Sequence, residues 1–174
     1  MKVRIADCID ESFVDGEGIR FAIFLQGCPH RCEGCHNPKT HDFDGGYIFN
    51  TKQITEKFKK NPLISGITLT GGEPLCQIKA STEFAIAAKN LKLNVWCYTG
   101  YTYEYLTNEK FLKNEFFTHD EIKNFLSYVD VLVDGPFILS QRDLTMRFCG
   151  SKNQRLIDIK KSFEQKKIIA WSLD

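Results

Sequence analysis

The sequence predicts an α/β fold: an open, partial (βα) barrel of about four to six mostly parallel strands. Short apolar runs alternate with amphipathic stretches, a pattern typical of strands joined by crossover helices. Several of the apolar runs stop at a glycine turn, as strands commonly do before their connections. A complete eight-stranded barrel needs ~250 residues. The 174 residues here therefore suffice for part of a barrel, and we expect one domain over residues 1–174.

The first half of the chain contains two predicted strands and one predicted helix. Residues 20–26 form an apolar run between glycines that leads directly to Cys28, so we predict a buried strand there. Residues 51–60 place two large apolar side chains four positions apart in a polar background, which indicates a helix with one buried stripe. Residues 66–70 are rich in β-branched side chains and end at Gly71, which predicts the second strand. The residues before the first glycine-rich turn are expected to add a strand or hairpin at the edge.

The second half repeats the alternation of helix and strand. Helical spacing of apolar residues predicts helices within 81–90 and 121–128. Apolar runs predict strands over 93–98 and 129–133, and a last short strand over 154–159. The remaining C-terminal residues, 160–174, are rich in charge and are expected to form a solvated helix or tail.

Composition and charge limit the possible functions. Hydrophobic residues make up 43% of the chain and charged residues 26%, as in ordinary globular proteins. The formal net charge of +1 provides no basic surface for a nucleic-acid backbone, so we expect no nucleic-acid partner. Charged residues interrupt the first residues, and no apolar run approaches the length of a membrane span, so we expect neither a signal peptide nor a membrane segment. A cytoplasmic protein is therefore expected.

Three of the seven cysteines are concentrated in eight residues, at Cys28, Cys32 and Cys35. Disulfides are rare in the cytosol, so a metal or catalytic role is favoured for these three. The other four are scattered singly and are expected to be small buried hydrophobes; they are Cys8, Cys76, Cys97 and Cys149.

The spacing C-x3-C-x2-C allows one loop to bind three corners of a [4Fe–4S] cube, in which each iron normally takes one thiolate. With no fourth cysteine near in sequence, one iron would remain open to another ligand. Zinc is the alternative, because His30 and His36 lie among the cysteines and three cysteines with one histidine form a normal zinc set. Structural zinc sites usually bring their ligands as two separated pairs, however, and the sequence lacks a second pair. We therefore favour the iron–sulfur cluster.

A cysteine loop of this spacing after the first barrel strand resembles the radical S-adenosylmethionine superfamily. The resemblance implies a barrel of that type, with a [4Fe–4S] cluster held by Cys28, Cys32 and Cys35 and with S-adenosylmethionine bound at the open iron. The cofactors supply the chemistry, so no catalytic residue is expected beyond the cluster ligands. The residues that the resemblance places at the cosubstrate are Gly34, Cys35, His36, Gly71, Gly72 and Glu73.

Further segments resemble the activating enzymes of glycyl-radical enzymes. Residues 16–20 and 26–37 are similar to these activases in general, and 96–101, 133–137 and 150–155 to those of anaerobic (class III) ribonucleoside-triphosphate reductase. This branch generates a 5′-deoxyadenosyl radical that abstracts hydrogen from a glycine of the reductase. The implied partners are the reductase and a reduced flavodoxin or ferredoxin. The alternatives are an activase of another glycyl-radical enzyme, of the pyruvate formate-lyase type, and a zinc-stabilised binding module.

Overall fold

The computed structural model describes residues 1–110 and 114–173 and forms one mixed sheet from seven strands in that part of the chain. The order across the sheet is β3-β1-β2-β4-β5-β6-β7. The strands are β1 (Lys2–Ser12), β2 (Arg20–Leu25), β3 (Tyr47–Asn50), β4 (Gly66–Gly71), β5 (Asn94–Tyr98), β6 (Val131–Asp134) and β7 (Arg155–Asp158).

The central strands β2, β4, β5 and β6 run parallel to one another, as predicted. β1 pairs antiparallel with β2 and β3, and β7 pairs antiparallel with β6. The outer strands β3 and β7 form no pairing with each other among the described residues, so the sheet is open. The α/β prediction is therefore confirmed, while the strand count is seven because both flanks add antiparallel strands. β3 escaped prediction because it is short, and its apolar side chains are exposed or only partly buried.

In the described part of the chain five α-helices accompany the strands: α1 (Thr51–Lys59), α2 (Ile78–Asn90), α3 (Tyr103–Thr107), α4 (His119–Leu126) and α5 (Ile159–Gln165). Capping boxes start two of them, with Asn50 and Gln53 at α1 and Thr118 and Glu121 at α4. In each box two side chains satisfy backbone N–H groups that the first helical turn leaves free. None of the described helices is both long enough and apolar enough to cross a membrane.

Alternation along the strands divides the core between the two faces of the sheet. Ile67 and Leu69 of β4 lie in the main hydrophobic core, which also contains the buried faces of α1, α2 and α4. On the opposite face, Trp96 forms a second, smaller cluster with Val131 and Val133. Four parallel strands with a helix-covered face thus place their carboxyl ends along a single edge, where the connecting loops meet.

The C-terminal segment contains a helix, which was one of the two expected alternatives, and α5 is largely exposed, while some of the described residues after it pack partly against β7. After α5 the chain returns to β7, where the Asp158 N–H donates to the Ile169 carbonyl at 2.9 Å and the Trp171 N–H donates to the Leu156 carbonyl at 2.8 Å. The Trp171 ring then packs edge-on against Trp96, with 6.2 Å between centroids. Trp171 and Leu173 therefore attach this segment to the second hydrophobic cluster.

An ion pair between the partly exposed Arg155 and the buried Asp134 joins β7 to the end of β6. Asp134 is fully buried, and both of its oxygens accept hydrogen bonds from Arg155, one of them at 2.9 Å from Nε. The Tyr103 N–H also donates to Asp134, at 2.8 Å. Glu104 accepts two further bonds from Arg155 at 2.9 and 2.7 Å, and these bonds lower the pKa of its carboxyl.

Replacement of this arginine should destabilise the fold. Arg155→Met leaves the Asp134 carboxylate buried without its cation, and we expect a loss of about 1.5–3 kcal/mol in the free energy of unfolding. Urea denaturation, monitored by circular dichroism, measures this loss of stability. Lys152→Met is the control, because Lys152 is exposed and its 3.7 Å pair with Asp143 should contribute little. Equal effects of the two substitutions would contradict the assignment.

Candidate functional site

The three clustered cysteines lie on a loop that follows β2 at the carboxyl edge of the parallel strands. We call residues 27–37 the cysteine loop. At its start, the Gly27 N–H donates to the Thr40 carbonyl at 2.9 Å and the Cys28 N–H donates to the His41 carbonyl at 3.3 Å. At its end, Thr40 Oγ1 donates to the Asn37 carbonyl at 2.7 Å. The loop is therefore closed at its base by the short 3-10 turn Pro38–Thr40.

All three thiols of the loop are free, with Cys28 buried and Cys32 and Cys35 partly exposed. The Cys35 N–H donates to the Cys32 carbonyl at 3.2 Å, so the second half of the loop forms a tight turn. Burial raises the pKa of the Cys28 thiol to about 11. Since metals bind the thiolate, ligation at Cys28 must release a proton.

Gly71 and Gly72 bring the end of β4 against the base of the cysteine loop. Gly72 donates its N–H to the Leu25 carbonyl at 2.7 Å, and a Cβ on Gly72 would lie 2.4 Å from the Gly27 carbonyl oxygen. Gly71 has a φ of +95°, and a Cβ there would lie 2.6 Å from the Phe24 Cα. The missing side chains therefore allow backbone to approach backbone. As contacts of the cosubstrate, both glycines remain predictions.

Glu73 points into the protein. Its side chain is 1% exposed, and the Glu73 N–H donates to the Gly27 carbonyl at 2.8 Å. Its carboxylate accepts hydrogen bonds from His30, Thr99, Gly100 and Leu75, at distances of 2.9–3.0 Å. The structure joins this carboxylate to the cysteine loop and to the segment after β5, and its contact with the cosubstrate remains a prediction.

The outer side of the cysteine loop packs against the segment after β6. The His36 ring lies 5.3 Å from the Phe137 ring, between centroids. Gly34 has a φ of +71°, and a Cβ there would lie 2.8 Å from Leu139 Cδ1. Any other residue at 34 would be strained and would displace Leu139. Gly34, Cys35 and His36 thus lie together on the exposed side, and their contact with a cosubstrate remains a prediction.

A fourth cysteine, Cys76, lies on the 3-10 turn Pro74–Gln77 directly after Glu73. Burial, then the negative charges of Glu73 and Cys28, raise the pKa of its thiol. Sequence separation concealed this proximity, because 48 positions separate Cys76 from Cys28. Because Cys76 lies on a different connection from the cysteine loop, we predict that it is not a ligand of the cluster.

Removal of this thiol should therefore leave a bound cluster intact. We expect Cys76→Ser, reconstituted anaerobically, to keep the iron and sulfide content of the unmodified protein and its rate of S-adenosylmethionine cleavage within about twofold. Colorimetric iron and sulfide assays and chromatography of 5′-deoxyadenosine measure both, with Cys32→Ser as the comparison variant. Loss of iron from Cys76→Ser would make Cys76 a ligand and would occupy the iron that the cosubstrate needs.

The donor set fits an iron–sulfur cluster. Three free thiols on one short loop are the ligand type that such clusters require. Among the described residues, no group of three or more His, Cys, Asp or Glu side chains is arranged to hold a single metal ion. Cys28, Cys32 and Cys35 would thus hold the cluster.

Comparison with known families decides between an iron–sulfur cluster and a zinc ion. Residues 14–157 match the family model described as a 4Fe-4S single cluster domain. The chain belongs to this 4Fe-4S single cluster family. The prediction of a [4Fe–4S] cluster over zinc is confirmed.

Several proteins with curated names are similar to this chain. The anaerobic ribonucleoside-triphosphate reductase-activating protein of Haemophilus influenzae is 32% identical over 149 residues, or 81% of this chain and 88% of that protein. The protein of the same name from Enterobacteria phage T4 is 34% identical over 163 residues, or 88% of this chain and 90% of that protein. The pyruvate formate-lyase-activating enzyme of Listeria monocytogenes is 40% identical over 81 residues, or 44% of this chain and 33% of that enzyme. These matches confirm the resemblance to radical S-adenosylmethionine activases, with the cluster and S-adenosylmethionine as cofactors.

Proposed function

We propose that this chain activates an anaerobic ribonucleoside-triphosphate reductase by generating a glycyl radical on it. The observation that supports the proposal is similarity over 88–90% of the length of relatives with that name. The match to a formate-lyase activase covers only 33% of that enzyme. The match over most of the length of the reductase activases therefore favours the reductase as the partner.

The cluster supplies the electron that cleaves S-adenosylmethionine into methionine and a 5′-deoxyadenosyl radical, which removes a hydrogen atom from a glycine of the reductase. The chain's own residues have two tasks at this site. Cys28, Cys32 and Cys35 hold three of the four irons and leave the fourth for the cosubstrate. Gly71 and Gly72, half-buried at the end of β4, offer backbone groups to its methionine end.

The exposed part of the cysteine loop gives the partners access. Cys32 and Cys35 are partly exposed, and Leu139 beside Gly34 is 41% exposed. A glycine-bearing loop of the reductase can reach this side of the site, and so can an electron donor of the flavodoxin or ferredoxin type. The seven free cysteines suit the reducing cytoplasm, where we propose that the protein acts.

The test is the appearance of a glycyl radical on a partner. We expect the reduced protein, incubated anaerobically with S-adenosylmethionine and an anaerobic reductase, to produce the doublet of a glycyl radical in electron paramagnetic resonance. Pyruvate formate-lyase is the matched alternative partner and should remain without the doublet. If the lyase gains the doublet and the reductase does not, the activase belongs to the other branch.

A further inference from the structure

The hydrogen bonds of Glu73 leave its carboxylate no capacity for a further ligand. An ionised carboxylate offers about four lone-pair sites. Here four donors use them: the Leu75 N–H at 3.0 Å, the Thr99 hydroxyl at 3.0 Å from each oxygen, the Gly100 N–H at 2.9 Å and His30 Nε2 at 2.9 Å. With 1% of the side chain exposed, an incoming ammonium group would have to displace one of these donors.

His30 is the donor that comes from the cysteine loop, and its ring is held on several sides. A Cβ on Gly100 would lie 2.4 Å from the His30 ring, so the ring occupies space that only glycine leaves free. Tyr101 packs on it in a T-shaped arrangement, with 4.5 Å between centroids. Because the carboxylate of Glu73 is an acceptor, Nε2 must carry the proton that it shares. The slot therefore fixes both the position and the tautomer of His30.

The backbone next to His30 is in an uncommon conformation. Arg31 has a φ of +45°, in the left-handed region that non-glycine residues rarely adopt. Such a conformation persists where the surroundings over-determine it. The fixed ring of His30 precedes Arg31 directly, and the turn at Cys32 to Cys35 follows it. The strained residue thus lies between two restrained ones, at the point where the loop turns from its first cysteine towards its second.

We propose that His30 and Glu73 form a brace that positions the cysteine loop for cluster binding. The brace joins the middle of the loop to the end of β4 through Glu73 and to the end of β5 through Thr99 and Gly100. It sets the direction of the loop between Cys28 and Cys32 in the apoprotein. His30 and Glu73 are then positioning residues that contact neither the cluster nor the cosubstrate. This inference rests on the cluster of the proposed function and is independent of which enzyme is activated.

Loss of the brace should loosen the cluster. Groups that orient metal ligands typically contribute about 10–100-fold to metal affinity. We expect His30→Ala and Glu73→Gln each to accelerate anaerobic loss of iron to a chelator by about tenfold or more, and the double variant to be no faster than the faster single variant. His30→Gln keeps an N–H donor at similar reach and should restore a rate close to that of the unmodified protein. His119→Ala, on α4, is the control and should have no effect.

Two more readouts separate positioning from general destabilisation. Circular dichroism and urea unfolding of the apoproteins establish that each variant is folded. The electron paramagnetic resonance spectrum of the reduced cluster should differ from that of the unmodified protein in His30→Ala and should match it in His30→Gln. Additive effects in the double variant, or unchanged chelation in both single variants, would overturn the brace. Unchanged chelation with weakened binding of S-adenosylmethionine would make Glu73 a cosubstrate contact. A protein that takes up no cluster at all would instead overturn the proposed function.

Discussion

Cys32→Ala is expected to abolish formation of 5′-deoxyadenosine. Cys32 is the middle of three thiols on one loop, and no other described side chain completes a ligand group there. A cluster left with two protein thiolates would be poorly held and would present two open irons rather than one. Anaerobic reconstitution, iron and sulfide assays, and chromatography of the products measure the loss of cluster and of cleavage in one preparation.

The matched control for this substitution is Cys149→Ala. Cys149 lies outside the cysteine loop and packs against the cluster of Trp96, Val131 and Val133, and burial raises the pKa of its thiol to about 11. The Cys149→Ala protein should keep its iron and its rate of S-adenosylmethionine cleavage, with only a modest loss of stability. Unchanged cleavage in Cys32→Ala would remove the cluster from the reaction.

Gly72→Ala is expected to have the next largest effect. The Cβ of an alanine at position 72 would lie 2.4 Å from the Gly27 carbonyl oxygen and 3.0 Å from the Leu25 carbonyl oxygen. Both neighbours are backbone, at the base of the cysteine loop, so the conflict cannot be relieved by a change of rotamer. Overpacking of this kind typically costs about 1–3 kcal/mol, and we expect the upper end of that range together with a severe loss of cluster binding.

Thermal unfolding and iron content measure the two effects of Gly72→Ala. Gly150→Ala is the control, because its Cβ would lie 3.1 Å from the Phe137 side chain, which can adjust. The control should lose less stability and retain its cluster. If Gly72→Ala keeps full stability and full iron content, the close approach of β4 to the cysteine loop is not needed.

The parallel centre of the fold was predictable because each of its strands has a strong local signal. β2 and β5 are nearly continuous apolar runs, β4 is rich in β-branched residues, and each of the three leads to a glycine turn. In parallel sheets the residues that follow the strands meet at the carboxyl edge. Cys28 and Gly72 both follow predicted strands, so the sequence predicted that they lie near each other. The structure joins these two residues through Gly27.

The features that the sequence concealed depend on contacts between distant segments. His30 and Glu73 are 43 positions apart, and nothing in the local pattern of either predicts a hydrogen bond between them. Helix α3 has only five residues, too few for a periodic signal. Residues 160–174 were expected to form a solvated helix or tail because charges dominate their composition, and the pairing of the residues after α5 with β7, like the contact of Trp171 with Trp96, depends on distant segments.

The structure also revises the reason for the glycine pair. The sequence suggested that Gly71 and Gly72 make room for a ligand, whereas the structure shows that Gly71 makes room for the end of β2 and Gly72 for the base of the cysteine loop. The two roles are compatible, because the same backbone is half-buried and faces the edge where the loop lies. The close packing of the end of β4 against β2 and the cysteine loop would thus position both the cluster ligands and the cosubstrate contacts. The hydrogen bonds of Glu73 reinforce this packing.

The most direct test of this account is electron–nuclear double resonance of the reduced protein with S-adenosylmethionine labelled with ¹⁵N in its amino group. Three protein thiolates leave one iron open to the cosubstrate, so we expect hyperfine coupling between the cluster and the labelled nitrogen. Absence of coupling, with S-adenosylmethionine bound, would mean that the fourth iron has another ligand. The proposed radical chemistry would then have no place at this site.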